Sequence, residues 1–264
     1  MRGIVTLLSL AFLIVGYTPV TGQQFSLGVK AGPSITTGRF KDSDLRDKFN
    51  TRPVIGFTAG GLISFPLKGR YSFISEFAYS QSGKKIKFNN NEWTNTATFN
   101  FIDLSMALRR AYEFRLGPNI KSDVFLNVGP KISYWLGAKG KIQAAGDPTD
   151  FDIVFGETPG SDIFVNYYNN PNRWLFGIDF GAGINAPITS TQKVFVEVRA
   201  SLGQTNLGKT DSSSTMAVLG FEDDLRMNLK TLSVIASYTF DFDLKKSKMG
   251  RSTKDRSIRK ERKR

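Results

Sequence analysis

Neither cysteine nor histidine occurs in the 264 residues. Without cysteine there is no disulfide framework and no thiol nucleophile, so an exported chain of this size has to draw its stability from a core or from a closed hydrogen-bonded ladder. Without histidine the usual general base and the commonest metal ligand are gone, and most hydrolytic mechanisms lose their starting group. Long apolar runs are scarce too. Beyond the N-terminal segment nothing approaches the roughly 18 uninterrupted apolar residues of a transmembrane helix. If this chain enters a membrane, it does so as strands.

What is present falls into three parts. Residues 1–22 read as a secretory signal peptide, with Arg2 as a positive n-region, Ile4 to Val15 as an apolar h-region and Val20-Thr21-Gly22 as a small-residue cleavage site. The h-region is too short to span a bilayer as a helix. Residues 23–244 read as one all-β unit, because Gly/Pro punctuation recurs and no long 3.6-period segment occurs. Residues 245–264 form a basic tail with few apolar residues, a composition that predicts disorder.

The strongest pattern lies just before that tail. Leu232, Val234, Ala236, Tyr238 and Phe240 alternate with Ser233, Ser237 and Thr239, and the run ends on an aromatic. Such alternation after an export signal is the pattern of an outer-membrane strand, apolar to lipid and polar to lumen. Eight segments qualify as strands: 25–33, 54–65, 71–81, 98–109 with a continuation to 116, 124–137, 174–186, 194–203 and 228–240. The connections 34–52, 83–97, 138–173 and 204–227 read as long and polar, and 66–70, 117–123 and 187–193 as short. Long outer loops alternating with short periplasmic turns predict an eight-stranded antiparallel up-and-down transmembrane β-barrel in the bacterial cell outer membrane, in contact with its lipid and with both termini periplasmic.

Parity assigns the two faces. Leu27, Val29, Ile55, Phe57, Phe77, Leu104, Leu126, Val128, Phe180, Val196 and Val198 fall outward. Several glycines fall inward together with Lys30, Glu76, Asp103, Arg109, Lys131, Asp179, Glu197 and Arg199. Four acids and four bases therefore share one interior, and an eight-stranded barrel is just wide enough for side chains to fill it. The expectation is a lumen charge network with a structural role, a polar plug of paired groups. Tyr79, Tyr134 and Trp174 predict one aromatic girdle, and Phe65, Tyr71, Tyr238 and Phe240 the other. Arg110 strains the pattern: either the fourth strand ends there or its side chain snorkels at the rim.

The motifs Phe25-Ser-Leu-Gly-Val-Lys-Ala-Gly-Pro33, Gly56-Phe-Thr-Ala-Gly-Gly61, Glu76-Phe-Ala-Tyr-Ser-Gln-Ser-Gly83, Asn127-Val-Gly-Pro130, Gly177-Ile-Asp-Phe-Gly-Ala-Gly183 and Val196-Glu-Val-Arg199 follow in order along nearly the whole mature chain. In this combination the chain resembles the PorT-like outer-membrane β-barrel family. Where that family carries a short proline-containing stretch in its fourth strand, this chain has Phe101-Ile-Asp-Leu-Ser105. The resemblance implies an eight-stranded outer-membrane barrel. It supplies no catalytic residue, and the namesake's part in type IX secretion is not common to every member.

Charge is concentrated at the end of the chain. Lys245, Lys246, Lys248, Arg251, Lys254, Arg256, Arg259, Lys260, Arg262, Lys263 and Arg264 stand against Asp255 and Glu261, which places +9 of the chain's +13 in the tail. On the periplasmic side such a tail has little access to nucleic acid, so none is expected as a partner. Two readings stand: a tether to anionic lipid headgroups, cell-wall polymer or an acidic periplasmic protein, and a solvated tail with no specific partner. Asp147, Asp150, Asp152, Glu157 and Asp162 place carboxylates in the longest connection, where a hard cation could bind, although their spacing fits no EF-hand. No cofactor or metal is assigned.

The function that accounts for all of this is a non-enzymatic integral outer-membrane β-barrel with a plugged narrow lumen, acting as an envelope structural, interaction or secretion-associated component. The alternative is a soluble exported lipocalin-like ligand-binding barrel, which also uses eight strands but should carry polar residues outside and apolar residues inside. Electrophoresis of the envelope fraction with and without boiling separates the two. A membrane-embedded band whose mobility changes on heating is expected, whereas a soluble periplasmic species would overturn the face assignment.

Overall fold

A computed structural model describes residues 24–41, 43, 49–88, 94–115, 121–143, 147–155, 165–168, 171–209, 214–215 and 227–243. The signal segment 1–22 and the basic tail 245–264 lie outside the described residues. No helix among the described residues is long and apolar enough to cross a membrane, which says nothing of crossing by strands.

Eight strands close a ring. They are β1 (Gln24–Phe40), β3 (Val54–Pro66), β4 (Tyr71–Phe88), β5 (Thr94–Arg115), β6 (Lys121–Gln143), β9 (Trp174–Pro187), β10 (Gln192–Gly203) and β12 (Met227–Asp243). Each pairs antiparallel with its neighbour in this order, β12 pairs back onto β1, and β6 pairs with β9 across the longest connection. The barrel is therefore all-β, antiparallel and up-and-down. Four shorter strands lie outside the ring: β2 (Phe49–Arg52) on β4, β7 (Thr149–Phe155) on β6, β8 (Val165–Tyr168) parallel to β7, and β11 (Ser214–Thr215) on β8.

Short turns and both chain ends of the ring share one end of the barrel, here called the turn end. Gly69 in the β3–β4 turn has φ +77°, a conformation that side chains other than hydrogen strain to adopt. The backbone N–H of Leu67 closes that turn on the Tyr71 carbonyl at 2.8 Å. Around the wall the outward residues are apolar and exposed, among them Val29, Ile55, Phe77, Leu126 and Val198. The girdles form ring pairs, with Tyr134 and Trp174 4.8 Å apart toward the loop end and Tyr238 and Phe240 4.9 Å apart toward the turn end. β5 runs on to Arg115, so Arg110 does stand on the outward face.

The loop end differs from the sequence expectation. Much of the supposed loops 34–52, 83–97 and 138–173 is strand: β1 reaches Phe40, β4 and β5 form a hairpin reaching Phe88 and Thr94, and β6 reaches Gln143. The physical reason is an inversion of faces. On β5, Phe101, Phe99 and Ala97 point inward and are buried, while Thr96, Thr98 and Asn100 point outward. Above the apolar belt the strands have the polar-outside pattern of a water-soluble barrel.

On β6 a bulge hides the continuation. The register steps from Asn100↔Gly137 to Phe101↔Trp135, so Leu136 is extra and the inward positions change from odd to even numbers. The indole N–H of Trp135 donates to the Gly137 carbonyl at 3.0 Å across that bulge. Phe40, Ile86, Phe99, Trp135, Ile142, Phe151, Leu207 and Met227 then form one buried apolar cluster inside the loop end. Trp135 packs edge-on against Phe99 at 5.4 Å and Phe155 at 4.7 Å. Trp135→Ala removes the largest fully buried side chain. It is expected to cost about 3–5 kcal/mol, read as a lowered urea midpoint of the inserted protein.

Candidate functional site

Six strands deliver the eight charges that parity selected to the middle of the lumen: Lys30 from β1, Glu76 from β4, Asp103 and Arg109 from β5, Lys131 from β6, Asp179 from β9, and Glu197 with Arg199 from β10; Lys84 from β4, fully buried beside Phe99 toward the loop end, is a further inward charge that parity did not select. Each sits at a position where period-2 geometry turns the side chain inward. Seven of the eight are buried, and the Lys131 side chain keeps 21% exposure.

Five of them form a chain of contacts. The Lys30 ammonium donates to Glu76 Oε2 at 2.5 Å. Arg199 grips the same carboxylate with two guanidinium nitrogens, Nη2 lying 2.8 Å from Oε1 and Nη1 bonding Oε2. Its Nε donates to Glu197 Oε1 at 2.6 Å, and the far oxygen of Glu197 accepts from Asn127 at 3.0 Å and Arg109 at 3.4 Å. A side branch runs from Arg199 to Asp179 at 3.7 Å, whose carboxylate also accepts from the Ser105 hydroxyl at 3.2 Å. Lys131 pairs with Asp103 at 2.8 Å, and Ser80 donates to the same carboxylate oxygen at 2.7 Å. The layer brings together all eight groups that parity selected.

Parity alone also contained signals that went unused. Asn127 and Phe125 share the inward side of β6 with Lys131, and Ser105 shares that of β5 with Asp103. Phe125 is fully buried, and the Arg109 guanidinium lies 3.9 Å from its ring centroid and 4.9 Å from that of Phe195. This stacking supplies the desolvated cation with a partner besides Glu197. A Cβ at Gly181 would overlap both Asn127 Oδ1 and Glu197 Oε1, so a side chain there would force these two members of the layer to shift.

The space around the layer is uneven. On its loop side two small cavities of about 50 and 30 Å³ separate it from the apolar cluster. On its turn side a vestibule of about 410 Å³ opens beneath Arg109 and Phe195, with Asp123, Lys193 and Asp241 at its walls. Lys193 and Asp241 are paired there at 2.7 Å.

The carboxylates of the longest connection do not converge. Asp150 and Asp152 alternate along β7 and face Lys141 and Lys139 on β6 at 3.4 and 3.8 Å, so cross-strand pairing replaces the cation site considered from sequence. Glu157 and Asp162 lie outside the described residues. Among the described residues no group of three or more carboxylates is arranged to hold a metal ion.

The charge layer carries the clearest energetic expectation. Glu76→Gln leaves the Lys30 ammonium buried without its carboxylate and Arg199 without its bidentate partner. A loss of about 3–5 kcal/mol is expected in urea unfolding, and adding Lys30→Met should restore part of it by removing the stranded charge. Equal midpoints for wild type and Glu76→Gln would mean that the pairing contributes nothing.

Known proteins resemble this chain as follows. A family model described as outer membrane protein β-barrel domain matches residues 21–208. No curated protein matches at a significant level. Among solved structures, Ail, the attachment invasion locus protein of Yersinia pestis, is 12% identical over 82% of this chain and 99% of that chain, with a TM-score of 0.35. OprG from Pseudomonas aeruginosa is 8% identical over 84% and 97%, with a TM-score of 0.47. The outer membrane protease OmpT from Escherichia coli is 10% identical over 84% and 97%, with a TM-score of 0.31.

Proposed function

The chain belongs to the outer membrane protein β-barrel domain family, and from that premise we propose that it is a PorT-like, non-enzymatic envelope component whose lumen is plugged and whose long-connection end is an interaction platform outside the cell. Both termini then face the periplasm, and the family places the barrel in the bacterial outer membrane. The observation that carries the reading is the double closure of the interior. A layer of paired charges at mid-barrel and an apolar cluster at the loop end lie in series, and the cavities between them hold about 50 and 30 Å³. A path for solutes would have to breach both.

The chemistry points the same way. The luminal carboxylates are engaged by lysine, arginine, asparagine and serine, and no histidine or cysteine exists to act as base or nucleophile. A lipocalin-like reading is disfavoured by the exposed belt of Val29, Ile55, Phe77, Leu126 and Val198, which water would have to cover. What remains for function is surface: the stiffened loop end, the lipid-facing wall and the basic tail. The tail, from Lys245 to Arg264, acts in this reading as a periplasmic tether to anionic headgroups, acidic cell-wall polymer or an acidic protein.

Two measurements test these statements. In planar bilayers the wild-type protein is expected to give no steady conductance, and Glu76→Ala combined with Arg199→Ala and Trp135→Ala is expected to open one; a steadily conducting wild type would overturn the plug. Deleting residues 245–264 is expected to abolish low-salt co-purification with cell wall or envelope proteins. Unchanged co-purification would leave the tail as solvated chain.

A further inference from the structure

On the lipid-facing wall the cation Arg110 stands at a height where its neighbours are aromatic. Arg110 is exposed on the outward face of β5, directly opposite Tyr71, the first residue of β4. Its guanidinium lies 5.4 Å from the Tyr71 ring centroid and 5.0 Å from that of Tyr112. Among the described residues no carboxylate pairs with it. A guanidinium held between two phenol rings at the girdle is oriented but not neutralised. Its fork of donors matches a phosphate in bidentate geometry.

An apolar furrow of about 630 Å³ begins at this arginine. Its walls are Leu108 and Leu126, then Val128 and Phe180, then Val198 and Leu232, and Ala182 and Ala200 form the floor. Ladder partners define its course: Arg110 faces Leu126, Leu126 faces Ala182, Phe180 faces Ala200, and Ala200 faces Leu232. The furrow thus crosses the strands at right angles from β4 to β12. It starts beside the turn-end girdle at Tyr71 and ends at Leu232, next to the opposite boundary of the apolar belt. Five interstrand steps of about 4.8 Å make it about 24 Å long. Strands tilted by about 45° incline it equally, so it leads from the turn-end rim into the apolar belt toward the opposite rim, the direction an acyl chain takes from its headgroup. Cation, aromatic collar and furrow therefore follow in the order of headgroup, interface and acyl chain.

We infer that this wall is a binding site for one anionic phospholipid, its phosphate on Arg110 between Tyr71 and Tyr112 and one acyl chain in the furrow. The inference goes beyond the proposed function and rests on it only in placing the turn end at the phospholipid leaflet. The charge calls for an anionic headgroup, and a second barrel on this wall is an outcome that the test separates.

The test uses full-length protein in phosphatidylcholine nanodiscs doped with phosphatidylglycerol, with retained lipid read by native mass spectrometry after gentle extraction. Wild type is expected to retain one phosphatidylglycerol in preference to phosphatidylcholine. Arg110→Gln should lower that preference about fivefold, the equivalent of about 1 kcal/mol for one basic side chain at an anionic surface. Ala200→Leu fills the furrow without touching charge and should also release the lipid, whereas Lys230→Gln, an outward lysine near the other rim, should change nothing. A heat-dependent mobility shift confirms that each variant is a folded barrel, and protease accessibility reports orientation independently of lipid retention. Equal retention by wild type and Arg110→Gln, displacement by free inorganic phosphate, or an Ala200→Leu effect traced to loss of a dimer would each overturn the site.

Discussion

A backbone N–H or C=O left without a partner in hydrocarbon costs several kcal/mol, and the rest of this structure depends on how that demand is met. The decisive ladder is β1 on β12. It runs from Gln24↔Asp243 to Phe40↔Met227 in one register, interrupted only at Gly32 and Pro33, and joins the two ends of the barrel sequence. Once it forms, the ring has eight members and no edge, and its circumference is set. Everything inside must fit a bore that side chains alone can fill. Glycines at the closest approaches follow from that bore: at Gly181 even one added carbon meets two polar side chains of the charge layer.

Narrowness also dictates the charge pairing. Desolvating a lone ion in such an interior is expensive, so the acids and bases of the mid-barrel layer interlock in space. Arg199 is the hub that makes this possible, because its planar fork reaches Glu76, Glu197 and Asp179, three carboxylates delivered by β4, β10 and β9. Arg199 thereby ties β10 to its neighbour β9 and, across the lumen, to β4. Serine and asparagine, small enough for the remaining space, add hydrogen bonds to carboxylate oxygens that a cation already contacts, while Asp103 Oδ1 and Asp179 Oδ1 are buried without a hydrogen-bond partner.

The ring and the charge layer were legible in the sequence because both depend on a period of two, which one chain displays without any knowledge of its neighbours. The loop end was not, for two local reasons. Ala138, Gly140 and Ile142 continue β6 on the inward side only because Leu136 is bulged out, and carrying the earlier parity forward turns Lys139 and Lys141 into the lumen instead. Pro53 cannot donate to the ladder and separates β2 from β3, so one nearly continuous strand reads as loop followed by strand. The furrow at Arg110 was equally hidden. Its walls come from β5, β6, β9, β10 and β12, and only the ladder registers set Leu108, Phe180 and Leu232 side by side.

The inversion of faces locates the membrane boundary, because it records which solvent each side chain has to satisfy. On β12 outward Lys230 gives way to outward Leu232, and on β1 outward Thr37 gives way to outward Ile35. Ile35 is the ladder partner of Leu232 and Thr37 that of Lys230, so the two strands change solvent at the same register. Beyond that line the strands still need a reason to remain strands, since water now competes for their hydrogen bonds. The cluster around Phe99 and Trp135 supplies it by moving the apolar residues from the outside of the wall to the inside. The extension is therefore held by its own core and not by lipid, which lets it keep a fixed shape in water. A barrel that only needed to sit in the bilayer would have no use for that second core, and this is the physical argument for reading the loop end as a presented surface.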